Sequence, residues 1–248
     1  NIFKPPKDQF WADPFFFYYK KKKYIFFEKF IKKENKGIIS AILLKKNKIY
    51  KITDVLKKNY HLSYPCLFKH QKNIYLIPES AENKRLEIYK SVKFPNKWKL
   101  IKTHFKNEII ADATIFKFKG SLWLFVNKTK KNLLDLNRKL YLYKISNDFN
   151  KIVPHKRNPI KNSFYGGRSG GRLFNLENKL IRPAQIQKKN IYGYGLVFYE
   201  IKRLSLNVYN EKEIFQLNPS FLKKNRGIHH ISTTKNEIIF DVNLIKQI

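Results

Sequence analysis

Asp112 to Asn127 reads DATIFKFKGSLWLFVN: it is polar at both ends and apolar with alternation between, and Lys119, Gly120 and Ser121 mark a turn at its centre. Period-two alternation on either side of a glycine-containing turn is the pattern of a β-hairpin. The same unit recurs along the chain. Asp13 to Glu28 reads DPFFFYYKKKKYIFFE, Tyr64 to Glu79 reads YPCLFKHQKNIYLIPE, and Gly170 to Gln185 reads GGRLFNLENKLIRPAQ. Phe17, Phe68, Phe116 and Phe174 hold the same place in each copy, and polar turns follow at Lys20 to Lys23, Gln71 to Asn73 and Glu177 to Lys179. A shorter fifth copy runs from His229 and Ile231 through Thr234 to Asn236 into Ile238, Ile239, Phe240 and Asp241.

The copies start about 50 to 60 residues apart, and a period near that length with four short strands per repeat is what propeller blades show. Five blades of that size occupy about 250 residues, and the chain has 248. The expected architecture is therefore all-β: a five-bladed β-propeller with four-stranded antiparallel blades, forming a single domain over 1–248. The blades fall at 11–60, 61–108, 109–153, 168–220 and 226–248. Pro154 to Gly167, with Pro154, Pro159, Gly166 and Gly167 and few apolar residues, reads as a loop over one face.

With 43% hydrophobic and 16% aromatic residues the chain can bury a sizeable core. Its formal net charge of +34 invites a polyanion or an anionic membrane surface as partner. Only eight of the 52 basic residues are Arg, however, and the chain is equally rich in Asn, Ile, Phe and Tyr, the mixture that AT-rich coding writes onto a solvated surface. Nucleic acid is disfavoured, because the aromatics stand at core-strand spacing and not as exposed stacking platforms. An anionic membrane surface stays open as a partner.

The lone Cys66 excludes an intramolecular disulfide and reads as a core residue. No apolar run is long enough to cross a bilayer and no signal-peptide pattern opens the chain, so a cytoplasmic or membrane-surface location is expected. Starting at Asn1 without any Met, the sequence reads as a piece of a longer protein. No HExxH or CxxC spacing, P-loop or dinucleotide fingerprint occurs, YGGRSGG at Tyr165 to Gly171 included, so neither a metal nor a cofactor is expected.

The two ends of a hairpin unit lie side by side, so its polar termini should converge at one mouth. That places Asp13 with Glu28, Tyr64 with Glu79, Asp112 with Asn127, then Gln185, His229 and His230, joined by Arg168 and Arg182. A ring of such groups is costly to assemble unless water or a ligand satisfies it, which makes the mouth the leading site. Adjacent strand residues face opposite ways, so one histidine of the pair should enter the channel, and His230 is the expected one. The two arginines offer planar forks for a carboxylate or phosphate on the ligand.

ADPFFF at Ala12 to Phe17, YPCLF at Tyr64 to Phe68, IPES at Ile77 to Ser80, FPNKW at Phe94 to Trp98 and ADATIF at Ala111 to Phe116 form an ordered set. In this the chain resembles the family typified by the N-terminal domain of glucosamine inositolphosphorylceramide transferases. That family is itself similar to the five-bladed glycoside hydrolases of the arabinanase, invertase and levansucrase type. The resemblance implies that Asp13 matches the catalytic base or nucleophile and Asp112 the aspartate that positions the sugar and tunes a neighbour. The general acid is where the chain departs, because the fourth unit carries Arg168, Ser169, Gly170 and Gly171 in place of a Glu-containing start. Glu79 is the substitute expected to donate the proton, since glycoside hydrolysis needs one protonated and one ionised carboxyl.

Two functional readings follow. In one, the chain is a glycoside-hydrolase-like domain acting on or binding a furanose-like or anionic sugar or glycolipid. In the other, it is a non-catalytic sugar-binding or scaffolding domain attached to a glycosyltransferase or formyltransferase, which the absent fourth-unit Glu favours.

Overall fold

Antiparallel strands joined in sequence order make up most of the chain in the computed structural model, which describes residues 2–188 and 191–244. They fall into two compact units, Asn1–Ile109 and Ile110–Ile248. Among the described residues, no helix is long and apolar enough to cross a membrane.

The first unit holds two four-stranded sheets. One runs β1 (Gln9–Tyr19), β2 (Lys22–Ile31), β3 (Lys36–Lys45) and β4 (Lys48–Leu56); the other runs β5 (Ser63–His70), β6 (Asn73–Glu79), β7 (Leu86–Lys93) and β8 (Lys97–His104). The turn read at Lys20 to Lys23 tightens onto two residues, Lys20 and Lys21, with φ of 46° and 60°. Lys46 and Asn47 do the same between β3 and β4, with φ of 49° and 58°. Two consecutive left-handed residues give the turn whose twist matches that of the strands it joins. The sheets meet through Phe94 in the β7–β8 turn. Its ring lies 4.4 Å from Tyr19, 5.1 Å from Tyr24 and 5.6 Å from Phe17 and Phe26, and each such pair adds about 0.5–1.5 kcal/mol beyond the area it buries.

Both first strands carry a bulge. Register shifts between Ala12 and Phe15 in β1 and between Ser63 and Cys66 in β5, and the extra residues Asp13 and Tyr64 take φ of 51° and 42°. The pairing expected from the sequence is thereby corrected by one position. Ala12, not Asp13, stands opposite Glu28, and Ser63, not Tyr64, stands opposite Glu79, because one unpaired residue offsets every partner beyond it.

The second unit begins with the sheet β9 (Ile109–Phe118), β10 (Ser121–Thr129), β11 (Lys139–Ile145) and β12 (Ile152–Pro154), with β13 (Lys161–Asn162) also pairing with β11. The stretch read as a loop from Pro154 to Gly167 thus contains β13 and the start of the next strand. Two-residue and three-residue strands among Pro and Asn carry no alternation to read. The following sheet is β14 (Tyr165–Ser169), β16 (Lys179–Lys188), β17 (Ile191–Leu204) and β18 (Tyr209–Leu217), with β15 (Phe174–Leu176) also on β16. Its inner strand is split in two. Gly171, at φ 136°, leaves the sheet to bridge Ile231 in parallel, and a Cβ there would sit 2.0 Å from the Ile231 oxygen. In this strand the left-handed residue is Gly166 (φ 79°), at a register shift before Arg168, and no shift follows the Arg168–Gln185 pair as one follows Ala12–Glu28, although Phe174 keeps its place opposite Ile181. Last come β19 (Ile231–Thr233) and β20 (Ile238–Phe240), a two-stranded sheet. Among the described residues, four sheets therefore carry a full four-strand path, one fewer than the five four-stranded blades expected.

Asn127 ties the two larger sheets of this unit together. Fully buried, it donates from Nδ2 to the Lys139 carbonyl (2.9 Å) and the Gly167 carbonyl (2.7 Å), while its Oδ1 accepts the Ser169 N–H (3.2 Å). Gly167 makes the approach possible, since a Cβ would lie 2.1 Å from the Arg138 oxygen. Asn127→Ala strands three main-chain groups and is expected to lower the unfolding free energy by about 2–4 kcal/mol, read from the denaturant midpoint at unchanged slope.

Candidate functional site

In the first unit, a hydrogen bond joins the bulges of β1 and β5: Asp13 Oδ2 accepts the Tyr64 N–H at 3.1 Å. Both residues are buried, and the Tyr64 ring meets Phe15 edge-on at 5.1 Å. Glu28, also buried, faces His61, with 3.3 Å between Oε1 and Nε2. The other ring nitrogen of His61 accepts the Gly37 N–H at 3.1 Å, which assigns the proton to Nε2 and makes it the donor to Glu28. Gly37 permits this packing, since a Cβ would come within 2.8 Å of both Glu28 Oε1 and the His61 ring. Burial lowers the His61 pKa, and the charges of Glu82 and Asp13 oppose the shift. Glu79 lies half-buried at the end of β6, opposite Ser63. His61 escaped the sequence reading because it precedes the repeat, which opens at Tyr64.

In the second unit, Asp112 is the hub. Its Oδ2 accepts Arg168 Nε at 2.6 Å and Gln185 Nε2 at 3.2 Å, and its Oδ1 receives a longer 3.5 Å contact from the same guanidinium. Arg168 and Gln185 are cross-strand partners on β14 and β16, so their side chains leave the sheet on one face. Asn137, in the short helix Leu133–Asn137 between β10 and β11, accepts Arg168 Nη1 at 2.8 Å. Gln185 passes the network on: its Oε1 accepts Gln187 Nε2 at 2.7 Å, and Gln187 Oε1 accepts the Gly193 N–H at 3.1 Å. Gly193, at φ 61°, packs against His229, whose Nδ1 lies 3.3 Å from Asp241 Oδ1. Asp112, Arg168, Gln185 and Gln187 thus form one hydrogen-bonded path with His229 packed at its end; Asn137 and Gln187 come from segments that the repeat does not mark, whereas Asp241 closes its fifth copy.

Three expectations are corrected here. Arg182 stands three positions from Gln185 on β16 with no bulge between, so the two leave opposite faces of the strand. Its guanidinium is buried between the sheets, and its fork is engaged by Glu211 through two 2.8 Å bonds, with a third of 3.0 Å to the Gly166 carbonyl. Its remaining nitrogen, Nη1, is buried without a hydrogen-bond partner among the described residues, so the guanidinium is shut off from a ligand at the surface by burial. His230 is fully buried, whereas the accessible ring of the pair is His229; the Asp241 carboxylate accepts the main-chain N–H groups of both. Asn127, expected at the mouth, binds only main-chain groups of its own unit in the hydrogen bonds described above.

Residues 5–238 match the family described as glucosamine inositolphosphorylceramide transferase 1, N-terminal. The chain is 32% identical over 232 residues to glucosamine inositolphosphorylceramide transferase 1 of Oryza sativa subsp. japonica, covering 90% of this chain and 31% of that protein. It is 34% identical over 221 residues to the protein of the same name from Arabidopsis thaliana, covering 87% and 29%. The chain thus spans about a third of the length of these relatives. Among solved structures it is similar to a thermostable family-43 glycoside hydrolase, with a TM-score of 0.69 at 14% identity, covering 94% of this chain and 83% of that one. The fold is accordingly an all-β propeller with four-stranded antiparallel blades.

Burial alone would raise the Glu211 carboxyl, but the Arg182 guanidinium and then Lys161 outweigh it and bring it from 4.5 down to about 2. The folded value lies below the unfolded one, so this contribution is complete above the unfolded value and is lost as pH falls through the interval toward 2. It amounts to about 3 kcal/mol. Glu211→Gln should flatten the acid side of the stability profile over that interval, as measured by denaturant midpoints at stepped pH.

Proposed function

Because this chain belongs to the glucosamine inositolphosphorylceramide transferase 1 N-terminal family, we propose that it is the sugar-recognising propeller of a longer glycoconjugate-building protein. It binds a sugar or glycolipid headgroup at the group centred on Asp112, Arg168 and Gln185, and it does not hydrolyse it. The relatives are glucosamine inositolphosphorylceramide transferases, which supports a glycoconjugate, and the likeness to a family-43 glycoside hydrolase supports a scaffold used on carbohydrate. The observation that carries the reading is the Arg168–Asp112 ion pair. Where the hydrolase pattern asks for a second carboxyl beside this aspartate, the chain supplies a guanidinium, which donates hydrogen bonds and transfers no proton at ordinary pH. Arg168, held by Asp112 and Asn137, fixes the Asp112 carboxylate in place, and a carboxylate so fixed suits acceptance of hydrogen bonds from neighbouring sugar hydroxyls.

The hydrolytic reading rests on the fold likeness together with Asp13 as base or nucleophile and Glu79 as acid. In the recognition reading, His229 serves as a ligand-positioning group of the second unit, Tyr64 and Glu28 belong to the separate polar group of the first unit, and the remainder of the full-length protein carries a glycosyltransferase or formyltransferase domain. We also read β19 and β20 as the inner hairpin of a fifth blade, since they continue the repeat.

Titration against a glycan panel, with product analysis of the same samples, tests the proposal. The parent should bind without releasing sugar, and Arg168→Lys, which keeps charge but loses the planar fork, should bind about tenfold more weakly. Sugar release by the parent that disappears in Asp13→Asn or Glu79→Gln would replace this proposal with the hydrolytic reading.

A further inference from the structure

The connection between β10 and β11 presents two neighbouring leucines to solvent. Leu133 is 61% exposed and Leu134 59%, among the highest values for large apolar residues in the chain. Exposure here does not come from a slack loop. Thr129 Oγ1 accepts the N–H groups of Lys131 (3.3 Å) and Asn132 (3.1 Å), Asn132 Oδ1 caps Leu134 N–H at 3.0 Å, and Asp135 holds Arg138 at 2.8 Å and Lys139 at 2.9 Å. The turn is built to hold its shape with both leucines outward, while Leu136 tucks partly in. On its approach side stand the exposed Lys130 and Lys131, and on its exit side Asn137 grips Arg168 of the polar group at 2.8 Å.

A rigid apolar knuckle flanked by lysines, fixed to the rim of a polar site, matches the interface of an anionic bilayer, where hydrocarbon and cationic charge are satisfied within a few ångströms of each other. We propose that Leu133 and Leu134 seat in the headgroup region of an anionic membrane, with Lys130 and Lys131 on its surface charge, and so present the Asp112–Arg168–Gln185 group to a membrane-borne headgroup. This deepens the sugar-recognition reading and rests on it for the ligand, but the membrane contact is separable from it. An acidic protein surface would satisfy the lysines but gives no reason for two protruding leucines.

Cosedimentation of the chain with phosphatidylcholine vesicles, with and without phosphatidylserine, tests the contact. Since the net charge of +34 draws the protein to any anionic surface, dependence on the leucines is the deciding measurement. Leu133→Ser/Leu134→Ser should lower partitioning onto serine-containing vesicles about tenfold or more at unchanged melting temperature, while binding of soluble glycan stays at the parent value. A polarity-sensitive dye at Leu134→Cys should shift to the blue with those vesicles; the one native thiol, Cys66, is buried. Parent-like partitioning of the double-serine variant, or an unshifted dye, overturns the proposal. So does loss of binding in Lys20→Glu/Lys21→Glu that matches or exceeds the loss in the leucine variant. Failure of the parent to bind any glycan would instead sink the recognition reading and leave the vesicle result standing.

Discussion

One backbone conformation underlies the polar groups of both units: a single left-handed residue set into the first strand of a sheet. Asp13, Tyr64, Asp112 and Gly166 all take it, and three of the four carry a side chain that resists it. Such a residue costs about 1–3 kcal/mol and persists only where its surroundings determine it. Here they do. Asp13 is held by the Tyr64 N–H, itself at the neighbouring bulge, and Asp112 by Arg168 and Gln185. The same hydrogen bonds that hold the bulges are the ones that assemble the polar groups, so site and strain have one cause.

The Asp112–Arg168 pair also shows why charge can be kept in a largely buried place. Taking two ions from water is expensive, and attraction repays it only when the remaining polar valences are filled. Asn137 and Gln185 fill them, and Asn127 fixes the main chain of β14 beside Arg168. The Arg182–Glu211 pair fills the Glu211 oxygens with Lys161 and the Tyr209 hydroxyl, but leaves Arg182 Nη1 unpartnered among the described residues; it lies between sheets, where it serves packing. Two arginines of one sequence neighbourhood thus have different roles because strand alternation sends them to opposite faces.

Much of the fold was legible because hairpins announce themselves. Alternation located the β1–β2, β5–β6 and β9–β10 hairpins, and Lys139 to Ile145 is a strand as read. The bulges were not legible, since a one-residue offset depends on φ, which no alternation pattern reports. That offset moved Ala12 and Ser63 into the places assigned to Asp13 and Tyr64. In the fourth copy β14 is split from β15 and its register shift comes before Arg168, while Phe174 stays in step, so the copy looked regular. His61, Asn137, Gln187 and Glu211 stand outside the repeat, and only tertiary contact reveals them.

The lysine pair at the β1–β2 tip has a bearing on how this hairpin endures proteases. A trypsin-like enzyme must draw several consecutive residues into extended form to cut beside a lysine. Lys20 and Lys21 are the whole of a two-residue reversal, clamped by Tyr19 opposite Lys22 and by the rungs behind them. Straightening that tip would unzip the ladder on both sides, so these two lysines are kept in a shape the enzyme cannot take up.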